Sequence, residues 1–263
     1  MTYNPLDRSM SGGKNFSGKE DRSMKDSLFD DFVEKTSYWH YRTDNYAKIV
    51  VKDSVLKLVM GPSEALYYSN AEISDGDFKT LKWIGKNLEF RARLIGEHYG
   101  SAGYGFWNYS MVVSESIPIW FIYLRARSEK YPLNGFYVQV GNIFTPVKYF
   151  VEPPLIIRLG VKLFKGLVPI RFTTLKPVMP DLDLDKWHKY TILWRKDQLE
   201  FRIDDKTLSI LPAPRSKYKY RIDAWIDNAV FTPLKNDYAM VYRHITHENR
   251  KESILEIDCV KLW

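Results

Sequence analysis

Short apolar runs separated by turn residues recur along most of this chain, about every ten residues. In one of them, LEFRARL at 88–94, every second residue is apolar and the residues between are charged. Such alternation buries one face of a β-strand and leaves the other in water. The segment 189–210, KYTILWRKDQLEFRIDDKTLSI, contains two strand patterns joined by a charged turn, followed by a third run. Because no repeat of fixed period accompanies these runs, they predict an all-β, two-sheet antiparallel sandwich rather than a propeller.

The chain divides into a polar beginning and one long strand-rich region. Residues 1–27 mix Ser, Gly, Lys and Asp with scattered apolar residues, so we expect a flexible N-terminal tail that cannot offset the entropy of ordering. We expect one sandwich domain over 28–263, since 45% hydrophobic and 15% aromatic residues suffice for a large core. The sequence has no apolar run of ~18 residues, no secretory signal and a single cysteine, Cys259, which together predict a cytoplasmic location.

One segment departs from the strand pattern. Prolines flank LIIRLGVKLFKGLV, and the spacing predicts an inserted amphipathic helix over 155–168. Arg158, Lys162 and Lys165 fall at i, i+4 and i+7 and so share its basic face. We favour packing of its apolar side on the sandwich. The alternatives are a peripheral helix whose three basic residues contact an anionic membrane surface, or a lid beside a concave sheet of the sandwich.

The net charge of +7 is concentrated around this segment, which indicates a local basic patch rather than a uniformly basic surface. The sequence has no zinc-finger spacing, RNA-binding motif or long Lys/Arg run, so no nucleic-acid partner is expected.

The order of several motifs resembles the concanavalin A-like lectin/glucanase superfamily, and in particular a divergent subgroup similar to glycoside hydrolase family 16. The resemblance covers about residues 28–263 and implies a jelly-roll sandwich with a ligand groove on one curved sheet. The motifs are FDDF at 29–32, GFWN at 105–108, WHKY at 187–190, WIDN at 225–228 and the closing IDCVKLW at 257–263.

Hydrolases of that family carry a Glu-x-Asp-x-x-Glu type motif on the strand after the Phe-Trp strand. Their retaining mechanism needs two carboxyl groups about 5 Å apart. Here the corresponding strand, IPIWFIYLRAR at 117–127, contains no Asp or Glu. The resemblance therefore implies a protein that binds a carbohydrate or glycolipid-like ligand without this catalytic motif. The alternative is a divergent glycan hydrolase or lyase with carboxylates from other strands, for which Glu72 and Glu200 are unassigned candidates.

The residues predicted to bind the ligand are aromatic platforms for sugar or acyl faces and polar groups for hydrogen bonds. Sandwich-core packing is the competing interpretation for each aromatic side chain. A pair of Asp223 and Asp227 is ruled out as catalytic, because four residues of strand separate them by about 13 Å. The predicted ligand-binding residues are Trp107, Asn108, Trp120, Tyr123, Trp225, Asp227 and Asn228.

Two further motifs are weak candidates for metal binding. DLDLD at 181–185 lacks the glycine and terminal glutamate of a calcium loop, and HITHE at 244–248 lacks a zinc spacing and a third ligand. Turn or capping roles are favoured for the first. His188 is expected to be structural and Cys259 to be packed rather than reactive. No metal and no cofactor are therefore expected.

Overall fold

The structure, a computed structural model, describes residues 27–65, 67–77, 79–108, 117–127, 131, 133–153, 170–214, 219–230 and 249–263. These residues form strands and loops, and no helix occurs among them. The predicted helix at 155–168 lies outside the described residues. The strands are β1 (Leu28–Asp30), β2 (His40–Asp44), β3 (Lys48–Lys52), β4 (Val55–Met60), β5 (Asn70–Ser74), β6 (Leu88–Ile95), β7 (Gly100–Trp107), β8 (Ile119–Arg125), β9 (Gly135–Val140), β10 (Ile143–Tyr149), β11 (Arg171–Phe172), β12 (His188–Trp194), β13 (Gln198–Ile203), β14 (Lys206–Pro212), β15 (Arg221–Asp227) and β16 (Ser253–Leu262).

The strands build two sheets of eight strands each, as the alternating pattern predicts. Sheet A has the order β14-β13-β12-β6-β16-β4-β3, and β1 pairs with β16 beside this path. Sheet B has the order β11-β10-β9-β8-β7-β15-β5-β2. Pairing is antiparallel except between β10 and β11. The predicted hairpins β3–β4 and β12–β13 are both present.

The main core lies between the sheets and is rich in aromatic residues. Tyr104 and Phe121 from sheet B meet Tyr190 from sheet A, with ring centroids 4.9 and 5.2 Å from that of Tyr190. Phe201 of sheet A packs edge-on against Phe121 at 5.4 Å. Burying each such ring contributes on the order of 1.5–3 kcal/mol. Because side chains alternate between the two faces of a strand, β7, β8, β12 and β13 each contribute one of these four rings to the layer.

A second apolar cluster covers part of the other side of sheet B. There Ile122, Leu124, Tyr137 and Phe144 project from β8, β9 and β10, and all four are buried. Residues from the neighbouring loops pack over them, namely Tyr131, Leu133, Ile170 and Val230. An apolar layer thus covers the β8–β10 part of this face.

No helix in the described residues is long and apolar enough to cross a membrane.

Candidate functional site

Three tryptophans lie together on the outer face of sheet B, the face turned away from sheet A. Trp107, Trp120 and Trp225 come from β7, β8 and β15, and each is only partly buried. The rings of Trp120 and Trp225 are 4.6 Å apart between centroids, and those of Trp107 and Trp120 are 6.3 Å apart. We call these three residues the tryptophan cluster. Strand alternation puts them on one face, because their strand neighbours Phe106, Phe121 and Ile226 all point into the core.

Two glycines of β7 make room for this cluster. A Cβ at Gly103 would lie 2.6 Å from Cη2 of Trp225, and a Cβ at Gly105 would lie 2.6 Å from Cβ of Trp120. Both distances are far shorter than a van der Waals contact. The Trp225 ring therefore occupies the space of a side chain at position 103, and the backbone and Cβ of Trp120 occupy that at position 105.

The ring N–H groups of two tryptophans are held by neighbouring strands. Trp120 Nε1 donates to Oε1 of Gln139 at 2.7 Å, and Trp225 Nε1 donates to Oγ of Ser101 at 3.0 Å. With their polar edges bonded, the rings are fixed in orientation. Their remaining exposed surface is apolar and suited to stacking.

A charged cluster adjoins the tryptophans on β5 and β15. Arg221 Nη2 donates to Oε1 of Glu72 at 2.5 Å and to Oδ2 of Asp223 at 2.7 Å. The guanidinium also lies over the Trp107 ring, 5.1 Å from its centroid. Because both carboxylate oxygens accept from this one nitrogen, the carboxyl groups of Glu72 and Asp223 lie next to each other. We call Glu72, Arg221 and Asp223 the acid pair with its arginine.

The environment of Asp223 opposes its ionisation. Burial raises the pKa of Asp223 well above its ordinary value, and the nearby Glu72 carboxylate raises it further. Arg221 acts in the other direction through its charge and its hydrogen bonds. A buried carboxyl beside a second carboxyl and a guanidinium is an arrangement that can hold or share a proton.

Asp227 ends β15 on the same face and is linked to the tryptophan cluster. Its Oδ1 accepts hydrogen bonds from Oγ of Ser101 at 2.9 Å and from the backbone N–H of Ala229 at 3.0 Å. Ser101 in turn accepts the Trp225 ring N–H, so a chain of hydrogen bonds runs from the indole to the carboxyl. Burial raises the pKa of Asp227 to about 7, although these donors lower it.

The outer strands β5 and β2 extend the polar region. Asn70 lies opposite both Asp227 and Asp44, and its Nδ2 donates to Oε2 of Glu72 at 3.2 Å. Arg42 Nε pairs with Asp44 at 3.0 Å. Within the described residues, Oδ1 of Asn70 and Oδ1 of Asp223 are buried with no hydrogen-bond partner.

The seven predicted ligand-binding residues divide into two groups. Trp107, Trp120, Trp225 and Asp227 lie together on the outer face. Asn108 and Asn228 bond to backbone, and Tyr123 lies in the core.

Asn108 and Asn228 are buried, and their amides bond to backbone. Oδ1 of Asn108 accepts from the N–H of Ile117 at 3.1 Å. Oδ1 of Asn228 accepts from the N–H of Ser69, and its Nδ2 donates to the carbonyl of Tyr67, both at 2.8 Å. These side chains fix the segments beside β7 and β5.

Tyr123 lies on the opposite face of β8 from Trp120, inside the core, where its hydroxyl donates to the carbonyl of His98 at 2.7 Å. We therefore leave Tyr123 out of the candidate site. Alternation along β8 puts residues 120 and 123 on opposite faces of the strand.

The acid pair is the feature that sequence reasoning missed. The strand pattern of β5 places Glu72 on the outer face, but only the pairing of β5 with β15 brings it beside Asp223. Glu200 belongs elsewhere, on β13 of sheet A, where it is bonded to Arg202 and Thr207.

The other sequence candidates do not join this site. Cys259 is a half-buried free cysteine on β16. His188 bonds to Asp204 and to the Asp183 carbonyl, as expected of a structural histidine. Among the described residues, no group of three or more His, Cys, Asp or Glu has the arrangement needed to hold a metal ion. The segment 244–248 and the basic residues 158, 162 and 165 lie outside the described residues.

The sequence matches no protein-family model and no curated protein. Solved structures nevertheless share the fold. A laminarinase from Flavobacterium sp. UMI-01 has a TM-score of 0.53 at 15% identity, covering 90% of this chain and 98% of that chain. A β-1,3-1,4-glucanase (lichenase) derived from a mouse hindgut metagenome has a TM-score of 0.52 at 13% identity, with the same coverage. A pseudo β-1,3-glucanase of Mycobacterium tuberculosis has a TM-score of 0.52 at 12% identity, covering 90% and 97%.

At these identities the likeness concerns the fold alone. The chain has the jelly-roll sandwich fold found in these glucanases, which confirms the predicted two-sheet sandwich.

Proposed function

We propose that this protein binds a carbohydrate, or the sugar part of a glycolipid, on the outer face of sheet B. The tryptophan cluster would stack against the sugar rings, and Asp227 with the acid pair would accept hydrogen bonds from hydroxyl groups. The observation that carries the proposal is the packing of Trp120 against Trp225 at 4.6 Å, with both ring N–H groups already bonded. Carbohydrate-active proteins among the similar folds support the same ligand class.

We further propose that the protein lacks the catalytic motif of the family it resembles. On β8, the outward positions are Trp120, Ile122 and Leu124, and neither face of the strand carries a carboxylate. Apolar side chains cannot act as nucleophile or as acid/base at a glycosidic bond. The similar folds include proteins named as glucanases and one named as a pseudo glucanase, so the fold is compatible with either outcome.

A glycan array followed by titration calorimetry tests the binding proposal. The variants Trp120→Ala and Trp225→Ala should each weaken binding of the selected glycan by about tenfold or more, since a stacking surface is lost. Trp187→Ala is the matched control, because Trp187 stacks with Arg91 and Arg93 rather than with the other tryptophans. Equal loss in the control, or no glycan bound at all, would contradict the proposal.

A second candidate is a divergent glycan hydrolase that uses Glu72 and Asp223. It is favoured by the sharing of Arg221 Nη2 between these two carboxylates. Release of reducing sugar by the wild type and its loss in Glu72→Gln, with glycan affinity retained, would establish hydrolysis. Binding without release of reducing sugar by the wild type would leave the binding function alone.

The membrane alternative depends on residues 155–168, outside the described part of the chain. It remains a proposal from the sequence.

A further inference from the structure

A buried histidine connects the candidate site to the opposite sheet. His98 lies in the turn between β6 and β7, and none of its surface is exposed. Its Nε2 is 3.1 Å from the carbonyl oxygen of Ser101 on β7, and its Nδ1 is 2.9 Å from Oγ of Ser253 on β16. One imidazole ring thus bridges a strand of the site in sheet B and a central strand of sheet A.

The partners of the His98 ring fix the position of its proton. A carbonyl oxygen only accepts hydrogen bonds, so Nε2 carries the proton and donates to Ser101. Burial lowers the pKa of His98 to about 4, and the ring is therefore neutral at pH 7. In the neutral ring Nδ1 is an acceptor, and the Ser253 hydroxyl donates to it. Turning the ring over would break both bonds, so its orientation is fixed.

Ser101 is the residue through which His98 reaches the site. The hydroxyl of Ser101 accepts the ring N–H of Trp225 at 3.0 Å and donates to Oδ1 of Asp227 at 2.9 Å. Ser101 also forms with Asp227 the last pair of the β7–β15 ladder, and strands open most easily at their ends. A small shift of Ser101 would lengthen both hydrogen bonds of its hydroxyl. The bond from His98 holds the strand at this end.

We propose that His98 is a positioning residue of the ligand site. It keeps Ser101 where a single hydroxyl can bond both Trp225 and Asp227, and it thereby sets the angle at which the Trp225 ring meets a sugar. Because His98 is fully buried, it touches no ligand itself. Its effect on binding rests on the proposed function, whereas its effect on the Trp225 ring does not.

Nuclear magnetic resonance spectra of the indole N–H groups in the ligand-free protein test the positioning. With isotopically labelled tryptophan, the peak that Trp225→Phe removes is the peak of Trp225. His98→Leu takes away the donor to Ser101, so we expect the Trp225 peak to move or broaden. His98→Gln keeps an N–H at the reach of Nε2 and should return the peak toward its wild-type position. A histidine that only stabilises the fold would leave this peak in place.

Titration with a hexasaccharide of β-1,3-linked glucose measures the consequence for binding. His98→Leu should bind this probe about fivefold or more weakly than the wild type, and His98→Gln should lie between them. His188→Leu is the matched control, because both ring nitrogens of His188 are also bonded but the residue lies on β12 of sheet A. The control should leave the Trp225 peak and the affinity unchanged. Thermal unfolding gives the stability of each variant.

An unchanged Trp225 peak in His98→Leu, or a shift that His98→Gln does not reduce, would overturn the positioning role. If His98→Leu does not fold, Ser253→Ala takes its place, since it removes the donor to Nδ1 and keeps the histidine; an unchanged Trp225 peak there overturns the role equally. A moved peak with unchanged affinity would overturn the effect on binding. If the peak moves but the wild type binds neither the hexasaccharide nor any glycan of an array, His98 still positions Trp225 and the proposed function fails.

Discussion

Glu72 and Asp223 stand on neighbouring strands that are far apart in the sequence, yet both accept a hydrogen bond from the same nitrogen, Nη2 of Arg221. Arg221 is only 4% exposed, and its Nη1 also donates to the carbonyl of Gly76. One guanidinium thus joins β5 to β15 at the floor of the candidate site. The stability of this part of the sheet and the charge of the site depend on the same residue.

Replacing Arg221 by methionine should destabilise the protein by about 3–5 kcal/mol, because the buried Asp223 and the partly buried Glu72 lose their cation. The loss should be larger at pH 8 than at pH 5. Arg221 lowers the pKa of Asp223, whereas burial and the Glu72 charge raise it, so without Arg221 the ionised form of Asp223 is the destabilising one. Protonation of Asp223 at lower pH removes part of the unpaired charge. Urea unfolding at both pH values measures the effect, and a loss that does not depend on pH would contradict this account.

Asp227 should make the folded state less stable as pH rises. Burial raises its folded-state pKa from 3.8 to about 7, so between these values the folded protein binds more protons than the unfolded chain. Its contribution to the free energy of unfolding therefore falls from about pH 4 to pH 7, by up to about 1.4 kcal/mol per pH unit.

The variant Asp227→Asn removes this dependence and keeps an oxygen for the Ser101 and Ala229 donors. Its stability relative to the wild type should rise steadily between pH 4 and pH 7 in urea unfolding experiments. Parallel stability curves for the two proteins would show that Asp227 titrates normally.

Gly103→Ala should reduce both stability and ligand affinity. The added Cβ would lie 2.6 Å from the Trp225 ring and 2.6 Å from the carbonyl oxygen of Phe121, so ring and backbone must move, at a cost of about 1–3 kcal/mol. Gly85→Ala is a matched control, because its φ of +67° makes alanine strained while no atom lies within 4 Å of the new Cβ. Thermal unfolding and titration should show destabilisation in both variants but weakened glycan binding only in Gly103→Ala.

Tyr123→Phe should lower the free energy of unfolding by about 1 kcal/mol without changing the affinity for the ligand. The hydroxyl lost in this variant donates to the carbonyl of His98 inside the core. The ring remains, so its packing against Phe150, at 4.6 Å between centroids, is kept. Unchanged ligand affinity in titration supports the structural role. Weaker ligand binding by this variant would indicate that Tyr123 belongs to the ligand site.

Charge reversal tests the membrane alternative. If residues 155–168 form an interfacial helix, the triple variant Arg158→Glu, Lys162→Glu, Lys165→Glu should lose flotation with anionic vesicles. A variant with the exposed Lys52, Lys176 and Lys206 changed to Glu has the same net charge and should still float. Equal flotation of the wild type and the first variant would rule the idea out.

The strand pattern was sufficient to predict the two-sheet sandwich, because alternation is a local property of each strand. It also placed Trp107, Trp120, Trp225 and Asp227 on strands or strand ends whose outward positions meet in sheet B. What it could not supply was the neighbour of each strand. The pairing of β5 with β15 depends on the whole fold, and the acid pair exists only through that pairing.

Asn108 and Asn228, which the sequence offers as ligand-binding residues, bond to backbone in the structure. Polar residues that follow a strand are equally suited to bind a ligand or to bond the backbone of an adjacent loop. The choice depends on whether a loop lies within reach, as the Ser69 and Tyr67 segment does for Asn228. No local pattern carries that information.

Strand β16 lies between β6 and β4 in the middle of sheet A and also pairs with β1. During synthesis, residues 253–262 leave the ribosome after every other strand that the structure describes. Until then β6 and β4 expose unpaired edges, and the apolar interior is open to water. Closure of this sandwich therefore waits for β16, and a nascent chain that lacks β16 exposes the apolar surface and strand edges that chaperones bind.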